Sequence, residues 1–274
     1  MLNLTGAALA NSGSTTLEQQ RLLFKQAELA LSNDDIKQFE KLLLELKDYP
    51  VTGYLQYDAF NKNLGQASES DVRQFLSKYK DLPFAYRLLG KWLGMLAKRQ
   101  DWEGYLEFYD GRSDVKYKCL SITAKLETNK TKNINNEIEK IWSTGYSQPE
   151  QCDFAFKHYL ETVDNVSDVI WLRIDKAFKA RRPSLAKYLA RQLNDKDKEL
   201  VDLWYQAHRH PAEKLPLLSK SKDTPIHRKI IIHALDRLAR KDSLQAKERW
   251  DEIKIKFQFS TEQEEGINKR IALS

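Results

Sequence analysis

Glycine and proline are scarce in this 274-residue chain, at 10 and 7 residues. That is too few for the turns of an all-β protein, and long stretches free of both favour helices. No run approaches the roughly 18 consecutive apolar residues of a membrane span, so no span is expected. Histidine is sparse too, with five scattered residues. His208 and His210 lie two apart and so face different sides of a helix. The two cysteines, Cys119 and Cys152, have no CxxC spacing, and no metal site is expected. His158 lies six residues after Cys152, off its helical face, so a cysteine nucleophile would lack a base. There is no Gly-rich phosphate loop and no Gly-x-Ser-x-Gly elbow. No carboxylate stands alone in an apolar run that would raise its pKa. Asp168, before Val169-Ile170-Trp171, comes nearest and reads as a helix start. No catalytic residue and no cofactor is therefore expected.

What is present is an amphipathic rhythm. Apolar residues make up 41% of the chain, enough for a core, and charged residues 31%, enough for a large exposed surface. Thr15 with Glu18 reads as a capping box opening a helix through Leu22, Leu23, Ala27, Ala30 and Leu31. Asn33-Asp34-Asp35 opens a second, with a stripe of Ile36, Phe39, Leu42, Leu43 and Leu46 that ends at Tyr49-Pro50. Ser68, Leu82-Pro83 and Asp101 open further helices. The pattern predicts others over 114–128, 134–144, 149–162, 167–180, 184–193, 196–208, 225–240, 243–257 and 261–272. No stretch alternates at period two for long enough to make a strand. The expected fold is all-α: an α-solenoid or superhelix of short helix pairs, built from degenerate tetratricopeptide-like repeats with no strict period. Each pair completes its core by stacking on its neighbours. No domain boundary stands out within 11–274. Lys220–Pro225 is the best candidate for a mobile loop, and the last helix leaves Ile267, Ile271 and Leu273 exposed unless more chain or a partner covers them.

The net charge of +6 is unevenly placed. Residues 1–150 hold 20 basic and 20 acidic side chains, whereas 151–274 hold 25 and 19. The densest basic cluster is Arg173, Lys176, Lys179, Arg181, Arg182, Lys187 and Arg191. It reads either as a face for an anionic polymer or as an ordinary solvated helix surface. Tyr54 and Tyr57, one helical turn apart, are candidates for stacking on sugar rings or for packing between helices. An RNA-binding repeat protein would need stacking aromatics at a regular offset; none is visible, and no nucleic acid is expected. A protein-interaction solenoid with a peptide-binding concave surface is one function that such a fold could serve.

One stretch is more specific: Trp142-Ser-Thr-Gly145-Tyr-Ser147-Gln148-Pro149-Glu-Gln-Cys152-Asp153. The pattern Gly-x-Ser-Gln-Pro-x-x-Cys-Asp resembles the N-terminal helical domain of the soluble lytic murein transglycosylases, periplasmic enzymes that cleave peptidoglycan strands. Leu46-Lys47-Asp48-Tyr49-Pro50 followed by Tyr54-Leu55 and Tyr57 is similar to a segment near that family's start. Leu82-Pro83, Leu96-Ala97-Lys98-Arg99 and Asp101-Trp102 resemble a second block, and Cys119, Ala124-Lys125 and Trp142 fall where the family has like residues. Beyond Asp153 the likeness rests on helix phase around Leu172-Arg173-Ile174 and Leu238-Ala239-Arg240-Lys241.

The resemblance implies a ring-forming superhelix that carries a C-terminal catalytic domain and helps hold the glycan. It implies peptidoglycan and that missing domain as partners, and the periplasm of a Gram-negative bacterium as the location. The whole enzyme would cleave the N-acetylmuramic acid to N-acetylglucosamine β-1,4 bond without water, leaving a 1,6-anhydro end. The family's catalytic glutamate lies in a Glu-Ser-x motif followed by Gly-Leu-Met-Gln. Glu69-Ser70-Asp71 is the sole Glu-Ser pair here, lies too early, and has no Gly-Leu-Met-Gln after it. The expectation is a chain that does not itself cleave glycan. Two lone cysteines in neighbouring helices, together with an exported family, imply a Cys119–Cys152 disulfide. Met1–Ala10, apolar and ending Ala8-Leu9-Ala10, resembles the end of a signal peptide cleaved before Asn11.

Overall fold

The computed structural model describes residues 16–274; the leader remnant expected over Met1–Ala10 lies outside them. Among the described residues there are sixteen α-helices, one 3-10 turn and no strand. They form two compact units that divide between Tyr109 and Asp110. The first unit contains α1 (Leu17–Ser32), α2 (Ile36–Glu45), α3 (Thr52–Lys62), α4 (Glu69–Lys78), α5 (Pro83–Arg99) and α6 (Trp102–Phe108). The second begins with α7 (Val115–Glu127), α8 (Ile134–Trp142), the 3-10 turn Glu150–Cys152 and α9 (Asp153–Thr162). It continues through α10 (Val166–Lys179), α11 (Pro183–Ala190), α12 (Asp195–Arg209) and α13 (Pro211–Leu218). It ends with α14 (Pro225–Ala239), α15 (Ser243–Ile253) and α16 (Thr261–Ala272).

The helix starts follow local chemistry. Ser68 with Asp71 and Ser260 with Gln263 form reciprocal capping boxes that satisfy amides left free by the first turn. The first box forms one residue later than the sequence pattern implied. Thr16 takes the extended cap conformation and accepts from the Gln19 amide, while the Gln19 side chain answers the Thr16 amide. Pro83, Pro183, Pro211 and Pro225 each open a helix, where a missing N–H costs nothing. These four prolines thus mark helix starts.

Two helices were not evident from patterning. In α3 the apolar positions are spread among Tyr54, Leu55, Tyr57 and Phe60 rather than set in one stripe. In α13, Pro216 lies inside the helix and makes the segment read as a loop, although the buried Leu215 and Leu218 anchor it. The Lys220–Pro225 segment is tied down at both ends, and at the first Ser221 Oγ donates to the Leu218 carbonyl at 2.7 Å. Asp223 pairs with Arg228 and accepts from the Gln258 amide at 2.8 Å, and Thr224 caps α14.

Helices pack on their successors and also on the next but one: α1 on α3, α3 on α5, α12 on α14 and α14 on α16. This pattern is that of stacked helix pairs, each completing its neighbour's core. One apolar core runs through the second unit from Cys119 to Ile267. Ile267, expected to be exposed, is 4% accessible and part of that core, whereas Leu273 is exposed as expected. No helix among the described residues is long and apolar enough to cross a membrane.

Candidate binding groove beside the Trp142–Cys152 segment

The segment between α8 and α9 is fastened to α10 along its length. Gly145 lies so close to α10 that an added Cβ would sit 2.4 Å from the Lys176 carbonyl oxygen and 2.8 Å from Ala180 Cβ. No side chain fits there, which explains the glycine at this point of the motif. The Lys176 ammonium donates to the Ser143 carbonyl at 2.8 Å, and Trp142 Nε1 donates to the Val169 carbonyl at 3.1 Å. Arg173 Nη2 donates to the Tyr146 carbonyl at 3.3 Å. Within the loop, Gln148 Nε2 donates to Thr144 Oγ1 at 3.0 Å. At the segment's end Cys152 is bonded to Cys119 of α7, with Cα atoms 4.8 Å apart. The motif is therefore a seam joining α7, α8, α9 and α10.

Behind this seam lies a groove of about 1060 Å³ bordered by α9, α10 and α11. Trp142, Phe156, Leu160, Leu185 and Leu189 give it apolar walls, and Gln148, Tyr188, Arg191 and Gln192 a polar rim. Arg173 borders it and is 4% exposed. Its guanidinium lies 4.3 Å from the Trp142 ring centre and 4.9 Å from that of Phe156. Its Nε has no hydrogen-bond partner, and among the described residues Arg173 makes no ion pair with a carboxylate. Burial pulls its pKa down to about 10, with the Tyr188 phenol acting in the opposite direction, so the group stays charged at neutral pH. Buried charges are ordinarily paired, and this one is left with two ring faces and one carbonyl.

The other residues of the basic cluster part company. Lys176 is committed to the Ser143 carbonyl. Lys179 pairs with Asp175 at 2.7 Å, and Lys187 with Asp202 at 3.1 Å. Arg181 and Arg182 are exposed. Arg181 lies just beyond α10 with a φ of 57°, and Arg182 lies 5.7 Å from the Tyr146 ring. One helix turn and a tight connection thus carry these cations to different tasks rather than to one face.

Tyr54 and Tyr57 both pack on Phe84, at ring-centre distances of 5.0 and 5.1 Å. Tyr57 is buried, while Tyr54 keeps an exposed edge at 38%. Glu69 and Ser70 lie in the first turn of α4, and the Glu69 carboxylate is 3.8 Å from Arg73 across one helical turn. Among the described residues no three His, Cys, Asp or Glu side chains gather as metal ligands would.

Sequence reasoning missed an imidazole pair in which His208 is buried and His233 partly so. His208 Nδ1 and His233 Nε2 are 2.8 Å apart, and their rings stack beside Phe178 and Trp204. Burial is the main force that lowers both pKa values to about 4, aided by Arg237 and, for His233, by His208. The two residues are 25 apart on α12 and α14, so no local spacing could have revealed the pair.

Comparison with known proteins places this architecture. The soluble lytic murein transglycosylase of Salmonella typhimurium is 31% identical over 191 residues, covering 69% of this chain. That of Escherichia coli is 26% identical over 245 residues, covering 89%. This chain is a partial homologue of the soluble lytic murein transglycosylases. It spans 29% and 38% of the length of those two relatives. No family model matches it. Among solved structures, the 70 kDa soluble lytic transglycosylase of Escherichia coli aligns with a TM-score of 0.80 at 25% identity. The alignment covers 94% of this chain and 42% of that one. An inactive mutant of the lytic transglycosylase Slt from Pseudomonas aeruginosa aligns with a TM-score of 0.79 at 28% identity, covering 92% and 41%. The 70 kDa enzyme is also known in complex with bulgecin A. The match over so much of the chain confirms the resemblance carried by the Gly145–Cys152 motif, and the all-α helix-pair fold with it.

Proposed function

We propose that this chain is the superhelical, non-catalytic part of a periplasmic lytic murein transglycosylase and serves peptidoglycan turnover as scaffold and substrate contact. The observation that carries the reading is the alignment, which takes in nearly all of this chain and under half of each solved relative. Cleavage of the β-1,4 bond then belongs to a catalytic part bearing the Glu-Ser-x motif. In this sequence Glu69-Ser70 only opens a helix, and Arg73 sits beside its carboxylate. The Cys119–Cys152 bond suits an oxidising compartment such as the periplasm. The second unit supplies the basic surface for an anionic glycan, to which the exposed Arg181 and Arg182 contribute.

The test uses the purified chain and peptidoglycan sacculi. The chain should co-sediment with sacculi and release no 1,6-anhydro muropeptides on mass spectrometry. Binding should weaken as salt rises, because exposed charges are screened within about 8 Å at physiological ionic strength. The double variant Arg181→Glu, Arg182→Glu should bind more weakly with an unchanged helical circular dichroism spectrum. Anhydro products from a preparation free of other lytic enzymes would overturn the non-catalytic assignment. Failure to sediment with sacculi at low salt would overturn substrate contact.

A further inference from the structure

We infer that the groove beside Arg173 is a binding site for the carboxylate of a short peptide. Arg173 is 4% exposed, carries its charge at neutral pH, and has an unpartnered Nε. Leaving such a donor unpaired is unfavourable, and a carboxylate is the group whose two oxygens match the guanidinium fork. Among the described residues no carboxylate pairs with it. Asp153 and Glu161 border the groove, but Glu161 lies 3.9 Å from Lys157 and neither forms an ion pair with Arg173. Arg173 has the Tyr146 carbonyl and the Trp142 and Phe156 rings, and a carboxylate for it would come from a ligand in the groove it borders.

The walls define the rest of the ligand. Trp142 and Phe156 are buried against the Arg173 guanidinium, and Leu160, Leu185 and Leu189 extend the apolar lining. Gln148 and Gln192 border the groove with amides that suit peptide groups. A volume of about 1060 Å³ exceeds what a lone inorganic anion or a single sugar acid fills, and it accommodates several residues of peptide. The exposed Tyr188 forms one lip. That the natural ligand is the peptide attached to peptidoglycan rests on the function proposed above; the site itself rests on Arg173 and the groove.

The site is tested with N-acetyl-dialanine as the free acid, its C-terminal amide, and N-acetylmuramic acid, each titrated into the full chain. Total tryptophan fluorescence and the Trp142 indole resonance in NMR are the readouts. The acid should bind at least about tenfold more tightly than the amide, as expected for loss of one charge-assisted hydrogen-bonded pair. Its affinity should change little between low and physiological salt, since a buried pair is poorly screened. Arg173→Lys should lose at least about tenfold in affinity, because an ammonium cannot offer the planar fork. Should that variant prove unfolded, Tyr188→Ala, at an exposed lip, provides the second arm and should weaken binding with an unaltered spectrum. Equal affinity for acid and amide, no shift of the Trp142 resonance, or unchanged affinity in both variants overturns the site. Binding of N-acetylmuramic acid alone overturns the peptide assignment. Sacculi that bind the Arg173→Lys variant normally, while the dipeptide acid binds neither protein, would sink the site and leave the function standing. Binding of the acid without any affinity for sacculi would do the reverse.

Discussion

The two units reach stability by different chemistry. In the first, rings pack on rings: Phe84 is fully buried and touches Tyr54, Tyr57, Phe75 and Tyr79. No disulfide crosses it, and with 13 basic and 14 acidic side chains it is nearly neutral. The second unit has 32 basic and 25 acidic side chains, and it buries Arg173, Asp175 and His208 alongside its apolar core. It also carries the disulfide. An apolar aromatic core gains from every contact. A core that takes in charged and imidazole groups loses stability to their desolvation, and a covalent staple offsets the loss.

The largest effect should come from hollowing out the first unit. Phe84→Ala should destabilise it by about 3–5 kcal/mol, the range for truncating a buried phenylalanine. Hydrogen exchange read separately over 16–109 and 110–274 should show the loss concentrated in the first set. Equal loss in both would mean that the two stabilities are not separate.

The disulfide gives the next effect. It closes a loop with a sequence separation of 33, worth about 3–4 kcal/mol in the chain-entropy account. Reduction, or Cys119→Ala with Cys152→Ala, should therefore lower the unfolding midpoint of the second unit and leave exchange in the first unchanged. Intact mass with and without reductant, followed by alkylation, establishes the bond. Two freely alkylated thiols in native, oxidised protein would contradict it.

Acid should separate the units again. His208 and His233 have native pKa values near 4 against 6.5 for an ordinary imidazole, so the unfolded chain binds their protons more readily. Their contribution is complete above about pH 6.5 and is lost as pH falls from there towards 4. Arg181 and Arg237 add to the resistance against charging His208, while Asp236 and Asp175 oppose it at His233. Thermal melts from pH 7 to pH 4.5 should show the second unit weakening first. His233→Phe, which keeps a ring in place but cannot titrate, should flatten that slope; an unaltered slope would remove the imidazole pair as its cause.

The smallest effect belongs to the exposed charge pairs. Lys187 and Asp202 lie 3.1 Å apart with side chains 46% and 59% exposed. Lys187→Ala should change stability by under about 1 kcal/mol, as exposed pairs ordinarily do. A larger loss would show that Lys187 matters chiefly through its packing over the Tyr205 ring, 4.9 Å away.

The sequence by itself determined the all-α class, most helix starts and the partnership of the two cysteines. These depend on local spacing, on capping hydroxyls and on an inventory of two thiols, all of which are written along the chain. It also carried the resemblance, because the Gly145–Cys152 motif is contiguous. Only the tertiary structure decided that α3 and α13 are helices, since their stability comes from neighbours rather than from a clean apolar stripe. It alone separated the basic cluster into a buried Arg173, a backbone-bound Lys176, paired Lys179 and Lys187, and exposed Arg181 and Arg182. Residue type fixes a charge, but burial and partners fix what that charge does, and both depend on helices distant in sequence. The His208–His233 contact and the groove beside Arg173 arise in the same way, where separate helices bring to one place side chains that no spacing connects.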